Sequence, residues 1–271
     1  MTTTTATTTR PDPLVIFPSE LLSTPTAAKP TSELLTRIAQ EKVYSFYGPF
    51  EAATLSTSVA ACITSNSDGS AARLTAVLRR FLDHAQQDCL AGAASPDKPL
   101  TTQACWLVAR MFEPSEEYVV PRWHRDGRMF TCSCSGSVET EEGGESSGRA
   151  EQPLPHSKYA VTLLGPATRV LAPGQPAVDA ALADVKSRMG LDEPQGRAEL
   201  AEALGGCEEC EVERGQVIRF SWGQDDSPVH SEPDFAGEDR VFVSVLFGSE
   251  TEIRDMCRRR RETFGVVGVR S

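Results

Sequence analysis

The sequence predicts an α+β protein with a β-sandwich or barrel core, on three observations. Its 271 residues are enough for one large domain with decorations. The region 14–100 carries helical periodicity. From Cys105 onward, short segments rich in β-branched and aromatic residues alternate with loops. Helices followed by many short strands are typical of this fold class.

The front half is expected to be a helical support for the sheet, preceded by a disordered tail. Residues 1–13 are Thr-rich and interrupted by Pro, which favours disorder. A short helix is expected to begin at Ser32, and the clearest helix runs from Ser70 to Leu90, with Gly92 at the C-cap position. Its apolar stripe is Leu74, Val77, Leu78, Phe81, Leu82 and Ala85.

The region 101–250 is predicted to form the β core, with two insertions. Residues 136–157 are rich in Gly, Ser and Glu and are expected to be a flexible loop. Residues 176–204 are expected to form one or two helices. The predicted strands are Trp106–Met111, Tyr118–Trp123, Tyr159–Leu164, Thr168–Leu171, Gln216–Trp222 and Arg240–Phe247.

The region 251–271 is predicted to be a C-terminal helix and tail. The pattern Ser249-x-x-Glu252 is a capping box, which satisfies backbone donors at a helix start. The helix carries four consecutive arginines, Arg258–Arg261. Such a run is either a localisation or anion-binding patch or, more commonly, a solvated helix face.

Composition narrows the classes of partner. The net charge is −11, which disfavours nucleic acid as a partner because phosphate binding needs clustered Lys and Arg. No apolar run is long enough for a membrane span, and the N-terminus lacks a secretory signal pattern. Eight scattered cysteines favour reduced thiols. We therefore expect an intracellular protein, in the cytoplasm or alternatively the nucleus, with its oligomeric state left open.

Three residues form a candidate metal site. His124 and Asp126 follow an extended apolar stretch, and residues i and i+2 of a strand point to the same side. His230 follows a later predicted strand. Two histidines and one carboxylate form the facial triad of non-haem Fe(II) oxygenases, which leaves coordination positions open for cosubstrate and O2. Otherwise, His124 and Asp126 would be a surface pair and His230 a loop histidine.

A cation follows the third candidate ligand. Arg240 lies ten residues after His230 and opens a predicted strand. A guanidinium there can bind a carboxylate through two hydrogen bonds. Ser244 shares the face of Arg240, because alternate residues of a strand point the same way.

This set resembles the 2-oxoglutarate- and Fe(II)-dependent oxygenase superfamily. The resemblance rests on His124-x-Asp126, His230 and Arg240, and it covers roughly residues 105–250; the strand from Tyr159 also resembles the DUF1826-like branch. It implies a double-stranded β-helix, or jelly roll, in which the triad binds Fe(II) and Arg240 binds 2-oxoglutarate as cosubstrate. The cosubstrate would be decarboxylated to succinate while a small organic substrate, favoured over a protein, is hydroxylated or desaturated.

One position departs from that family. Its members often carry a serine two residues after the arginine, whereas this chain has Phe242 there and Ser244 two residues further on. The departure keeps a second hypothesis open, in which a cupin-like β-helix protein binds metal without 2-oxoglutarate or acts as a binding module. A third hypothesis is a protein-interaction scaffold that uses the acidic surface and the helical front half.

The cysteines, aromatic residues and other basic residues outside this set are expected to have mainly structural roles. Cys132-x-Cys134 and Cys207-x-x-Cys210 could hold Zn²⁺, although free thiols are favoured. His84 is expected on a helix surface, and His156 in the flexible insertion. Three aromatic residues are expected to belong to the core, although they could alternatively line the pocket: Trp123, Trp222 and Phe242. Three arginines are expected to pair with acidic residues at 139–145, although they could alternatively attract an anionic substrate: Arg122, Arg125 and Arg128.

Overall fold

The computed structural model describes most of the chain. The described residues are 12–23, 34–92, 102–126, 156–191, 193–222 and 226–265. Within them the protein contains helices and antiparallel sheets, as the sequence predicts. The strands are β1 Leu14–Phe17, β2 Lys42–Pro49, β3 Ala104–Phe112, β4 His156–Leu164, β5 Arg169–Leu171, β6 Glu209–Cys210, β7 Val217–Trp222, β8 His230–Ser231 and β9 Arg240–Gly248. The helices are α1 Ala52–Thr64, α2 Ala71–Ala91, α3 Pro176–Arg188, α4 Pro194–Leu204 and α5 Glu250–Phe264.

The strands form a large and a small sheet. In the described residues, the large sheet has the order β1-β7-β4-β9-β3-β2, and every neighbouring pair is antiparallel. The small sheet has the order β6-β5-β8. An isolated antiparallel bridge between His124 and His230 extends it at β8. From β3 onward, the chain therefore crosses between the two sheets at each step except between β5 and β6, which both lie in the small sheet.

The two faces of the large sheet contact different parts of the protein. Alternate side chains such as Leu107 and Val243 join the main apolar core with helices α1 and α2. The residues between them, such as Val108 and Ser244, point to the opposite face. Helix α5 packs at one end of that face through Met256. Helices α3 and α4 form a smaller core beside the small sheet. The face with Ser244 is thus left for a cavity.

Several predicted elements are confirmed. The helix from Ser70 to Leu90 is α2, with Ser70 and Gly92 at its caps. Residues 176–204 form α3 and α4, and the Ser249 capping box opens α5. The strand predictions over β3, β4, β5, β7 and β9 are confirmed within three residues at each end.

The region 14–100, predicted to be helical, also contains strands. Strands β1 and β2 lie there and form the two edges of the large sheet. Residues 12 and 13, placed in the disordered tail, bond to β7: Pro13 O accepts from Ser221 N at 2.8 Å. No helix begins around Leu34, and Ile38 instead forms a bridge with Ser67. Helical spacing of apolar residues therefore reports burial here rather than a helix.

Two other assignments need correction. Tyr118–Trp123 is not a strand: a short 3-10 turn covers Glu116–Tyr118, and irregular backbone follows. The insertion 136–157 ends earlier than predicted, because His156 and Ser157 already belong to β4 and pair with β7. The remaining residues of that predicted loop lie outside the described residues. Within the described ranges, no helix is long and apolar enough to cross a bilayer.

A glycine turn next to the cavity gives a stability prediction. Gly165 has φ +77°, and a Cβ there would lie 2.3 Å from Asp239 O. Gly174 has φ +81°, but a Cβ there would meet nothing within 4 Å. We expect Gly174→Ala to lower the free energy of unfolding by about 1 kcal/mol through backbone strain. Gly165→Ala should cost about 3 kcal/mol or more, because strain and a backbone clash combine. Urea denaturation measures both, and equal losses would show that the Asp239 contact is easily relieved.

Candidate metal centre

The two candidate histidine ligands are placed by one backbone bridge. His124 N donates to His230 O at 3.0 Å, and His230 N donates to His124 O at 3.0 Å. Such a pair holds two residues directly opposite each other on antiparallel segments. Their rings lie 4.5 Å apart between centroids. Two histidines far apart in the sequence are thereby fixed side by side.

Asp126 completes the group. Its Oδ2 lies 3.7 Å from His230 Nε2, and ligand atoms of His124, Asp126 and His230 all lie within 4.8 Å of one another. One ion can contact all three after small side-chain rotations, because metal–ligand bonds are about 2.0–2.2 Å long. Of the described residues, only these three form such a group. The convergence predicted from sequence is therefore observed, although extended irregular backbone rather than a regular strand presents the first two.

Backbone carbonyls fix which ring nitrogen each histidine presents. His124 Nδ1 lies 2.8 Å from Arg122 O, and His230 Nδ1 lies 3.2 Å from Pro228 O. A carbonyl oxygen can only accept, so each Nδ1 must carry the proton. In a neutral ring the lone pair is then on Nε2. Carbonyl partners of this kind are the usual orienting contacts of metal-binding histidines.

The charge states also suit a metal site. Burial lowers the pKa of His230 to about 4, helped by nearby His124, so the ring is neutral at neutral pH. Burial raises the pKa of Asp126, but the charge of Lys158 and, in acid where it becomes protonated, that of His230 outweigh it and hold that pKa well below its usual range. A carboxylate and neutral imidazoles are the forms that bind metal ions.

Lys158 is an unpredicted neighbour of the triad. It lies on β4, and its Nζ donates to Asp126 Oδ2 at 2.8 Å. Its side chain is 14% exposed, so this ion pair is poorly screened. The ammonium and a divalent cation would attract the same carboxylate and repel each other.

This repulsion gives a prediction with an unusual sign. Lys158→Met should raise the affinity for Mn(II) by about fivefold or more, since like charges a few ångström apart cost at least about 1 kcal/mol. Calorimetric titration with Mn(II) measures the change. As a control, Arg79→Met removes a cation that is exposed on α2 and should leave the affinity unchanged. Weaker binding in the Lys158 variant would instead mean that Lys158 serves to orient Asp126.

Arg240 and Ser244 line the same cavity as the triad. The cavity has a volume of about 300 Å³, and Phe242 also lines it. Arg240 is 2% exposed; its Nε donates to Pro166 O at 3.1 Å and its second terminal nitrogen to Thr168 Oγ1 at 3.0 Å. Burial lowers the pKa of Arg240 to about 10, so it stays charged at neutral pH. Among the described residues, no carboxylate lies within 4 Å of its guanidinium.

Several cavity residues escaped the sequence analysis. Arg110, Lys158 and Glu232 all line it, and so does Arg260 from the arginine run of α5. Arg260 lies over the Trp106 ring at 4.5 Å, so one member of that run is not on a solvated face. Strand alternation gives a partial signal for Arg110, because it shares a face of β3 with cavity residues, but the pairing of strands is needed to place it.

Arg122 and Arg125 form ion pairs, as favoured, but with partners other than the predicted ones. Arg122 pairs with Glu232 at 2.9 Å, and Arg125 pairs with Asp179. The Arg122 contact holds the pKa of Glu232 at about 2 against the effect of burial. Arg128 lies outside the described residues.

The other residues considered as functional candidates lie mostly in the protein core. Trp123 and Trp222 are core side chains, as favoured, whereas Phe242 lines the cavity. His84 is half-buried against Phe17 instead of lying on the surface, because β1 packs beside α2. His156 is buried, and its Nε2 lies 3.2 Å from Glu252. The predicted zinc site is described only in part. Its members Cys207 and Cys210 belong to no group of metal ligands among the described residues. Its other members, Cys132 and Cys134, lie outside the described residues.

Comparisons with known proteins give little further information. No family model matches the chain, and no curated protein matches it. Among solved structures, the crystal structure of a rice dioxygenase for auxin oxidation is similar over 92% of this chain and 79% of that chain. Its sequence identity is 10% and its TM-score is 0.39.

Proposed function

We propose that this protein is an Fe(II)- and 2-oxoglutarate-dependent dioxygenase. The observation that carries the proposal is the convergence of two Nε2 atoms and one carboxylate in a cavity that also holds a buried arginine. A facial triad with open positions is the site type of non-haem iron oxygenases. Bound there, Fe(II) would supply the activation of O2.

The strand order supports a double-stranded β-helix as the scaffold. Strands β3, β4, β7 and β9 lie in the large sheet, while the segment at His124 and strands β5, β6 and β8 lie in the small one. Eight segments divided equally between two antiparallel sheets match the strand plan of a jelly roll. In this arrangement β8 and the His124 segment are neighbours, which is what brings the two histidines together.

Each residue then has a specific task. His124, Asp126 and His230 hold the metal, and the carbonyls of Arg122 and Pro228 keep both Nε2 atoms directed at it. Arg240 binds the far carboxylate of 2-oxoglutarate and neutralises its charge in a buried site. The two neutral acceptors of Arg240 orient the guanidinium without cancelling its charge.

Ser244 is proposed to contact the cosubstrate as well. It is buried, and it lines the cavity on the same face of β9 as Arg240. Phe242 lies between them in the strand, and its ring lies 5.0 Å from the Arg240 guanidinium. The ring covers the charge on one side, which excludes water from the proposed carboxylate site.

A cupin-like metal-binding protein is the second candidate. It would use the same triad without 2-oxoglutarate, and Phe242 favours it, because this residue stands two positions after Arg240, where members of the oxygenase superfamily often carry a serine. Succinate formation separates the two candidates. We expect purified protein supplied with Fe(II), 2-oxoglutarate and O2 to release succinate, and His230→Ala to release none. Absence of succinate from the parent protein, despite stoichiometric metal binding, would favour the cupin-like function.

A further inference from the structure

The cavity is basic although the protein is acidic. The chain has a net charge of −11, yet six basic side chains line the cavity among the described residues, against two acidic ones. A cleft lined by one sign of charge concentrates ligands of the opposite sign. The lining therefore favours anions well beyond what the overall charge would suggest.

Three of the six basic side chains are ion-paired: Lys158 with Asp126, Arg122 with Glu232 and Arg125 with Asp179. Arg260 lies over the Trp106 ring. The other two are Arg240 and Arg110. Arg240 has only neutral acceptors. Arg110 is half-buried and makes no hydrogen bond or ion pair to any described residue. A partly desolvated guanidinium without a counter-ion is unfavourable, so an anion is the expected partner.

Arg110 and Arg240 are placed for two different acid groups. Arg110 lies opposite Phe242 in the pairing of β3 with β9, and Arg240 lies two residues before Phe242. Both side chains line the cavity; burial lowers the pKa of Arg240, Glu232 opposes this, and the charge of Arg110 adds to the lowering, so the two guanidinia repel each other. Under the proposed function, 2-oxoglutarate neutralises Arg240, and Arg110 is left for a second anion.

The stripe beside Arg110 indicates what that second molecule looks like. Trp106 and Val108 precede Arg110 on the same face of β3, and all three residues line the cavity. An apolar surface that ends in a guanidinium fits a ligand with an apolar body and a terminal acid group. The small cavity excludes a folded protein chain but admits a small molecule.

We infer that Arg110 binds the acid group of the oxidised substrate, a small molecule with an apolar body and a carboxylate or phosphate group. The identification of this molecule as the substrate rests on the proposed function, whereas the anion site itself does not. Benzoate, phenyl phosphate and the uncharged benzamide are matched probes, since they share an aromatic body and differ in the polar group.

The test is a calorimetric titration of each probe into protein saturated with Mn(II) and 2-oxoglutarate. Benzoate or phenyl phosphate should bind at least about tenfold more tightly than benzamide, and the tighter of the two identifies the acid group. Arg110→Met should abolish that preference and lower the affinity for 2-oxoglutarate by about fivefold at most, through the loss of long-range attraction alone. Arg79→Met, which removes an exposed arginine remote from the cavity, should preserve the preference.

Three results would overturn the inference or separate it from the proposed function. Equal binding of benzamide and the two anions would refute the anion site. A loss of 2-oxoglutarate affinity in Arg110→Met as large as the loss of benzoate affinity would assign Arg110 to the cosubstrate instead. A parent protein that does not bind 2-oxoglutarate, but binds benzoate through Arg110 in the presence of Mn(II) alone, would refute the proposed function and retain the anion site.

Discussion

Asp126→Ala should lower the affinity for Mn(II), used as a redox-stable substitute for Fe(II), by about 100-fold or more. Loss of contacts that merely orient metal ligands typically costs about 10- to 100-fold, and Asp126 is the only anion of the triad. The parent should bind one ion per chain, because its described residues form one group of three ligands. Calorimetry or the paramagnetic signal of free Mn(II) measures both quantities.

Two controls separate loss of a ligand from loss of the fold. Asp179→Ala removes a carboxylate that is paired with Arg125 outside the triad, and it should leave metal affinity within about twofold. Asp126→Ala leaves Lys158 without its partner, so thermal unfolding should be recorded as well. His124→Ala tests the same site without unpairing Lys158. Unchanged metal binding in folded Asp126 and His124 variants would rule out the triad as the metal site.

Arg240→Met should weaken 2-oxoglutarate binding by about 10- to 150-fold and leave metal binding intact. The expected loss is about 1.5–3 kcal/mol, the range for hydrogen bonds to charged groups. Methionine keeps much of the apolar stem, so the packing against Phe242 is largely retained. Titration of 2-oxoglutarate into the Mn(II)-loaded variant measures the effect.

Arg110→Met is the matched control for the Arg240 variant. It removes the same charge from the same cavity but from the proposed position of the substrate anion, so 2-oxoglutarate affinity should fall by about fivefold at most. If both variants lose affinity equally, the cavity attracts the cosubstrate only through its overall charge. An Arg240 variant that binds 2-oxoglutarate as well as the parent would exclude Arg240 as the cosubstrate ligand.

Much of the site could be predicted because it depends on local spacing. Arg240 and Ser244 share one face of β9 through strand alternation alone, and the structure places both in the cavity. His124 and Asp126 converge although the strand expected before them is irregular. A separation of two residues suffices for convergence wherever the backbone is extended.

The residues that were missed depend on contacts between distant segments. Lys158 meets Asp126 across 32 positions in sequence, and Arg110 faces the cavity only because β3 pairs with β9. Strand β1 joins the sheet through β7, which lies near the other end of the chain. Helix α1 was missed for another reason: its run of Ala, Ser and Thr gives only weak apolar periodicity, and burial against α2 stabilises it.

The most direct test of the central claim is whether 2-oxoglutarate binding requires the metal. In the proposed function, one end of the cosubstrate binds an ion held by His124, Asp126 and His230, and the other end binds Arg240. Calorimetric titration of 2-oxoglutarate should therefore show one site per chain in the presence of Mn(II), and binding at least about tenfold weaker in metal-free protein. Equal affinity with and without Mn(II), or no binding in its presence, would contradict the proposed function.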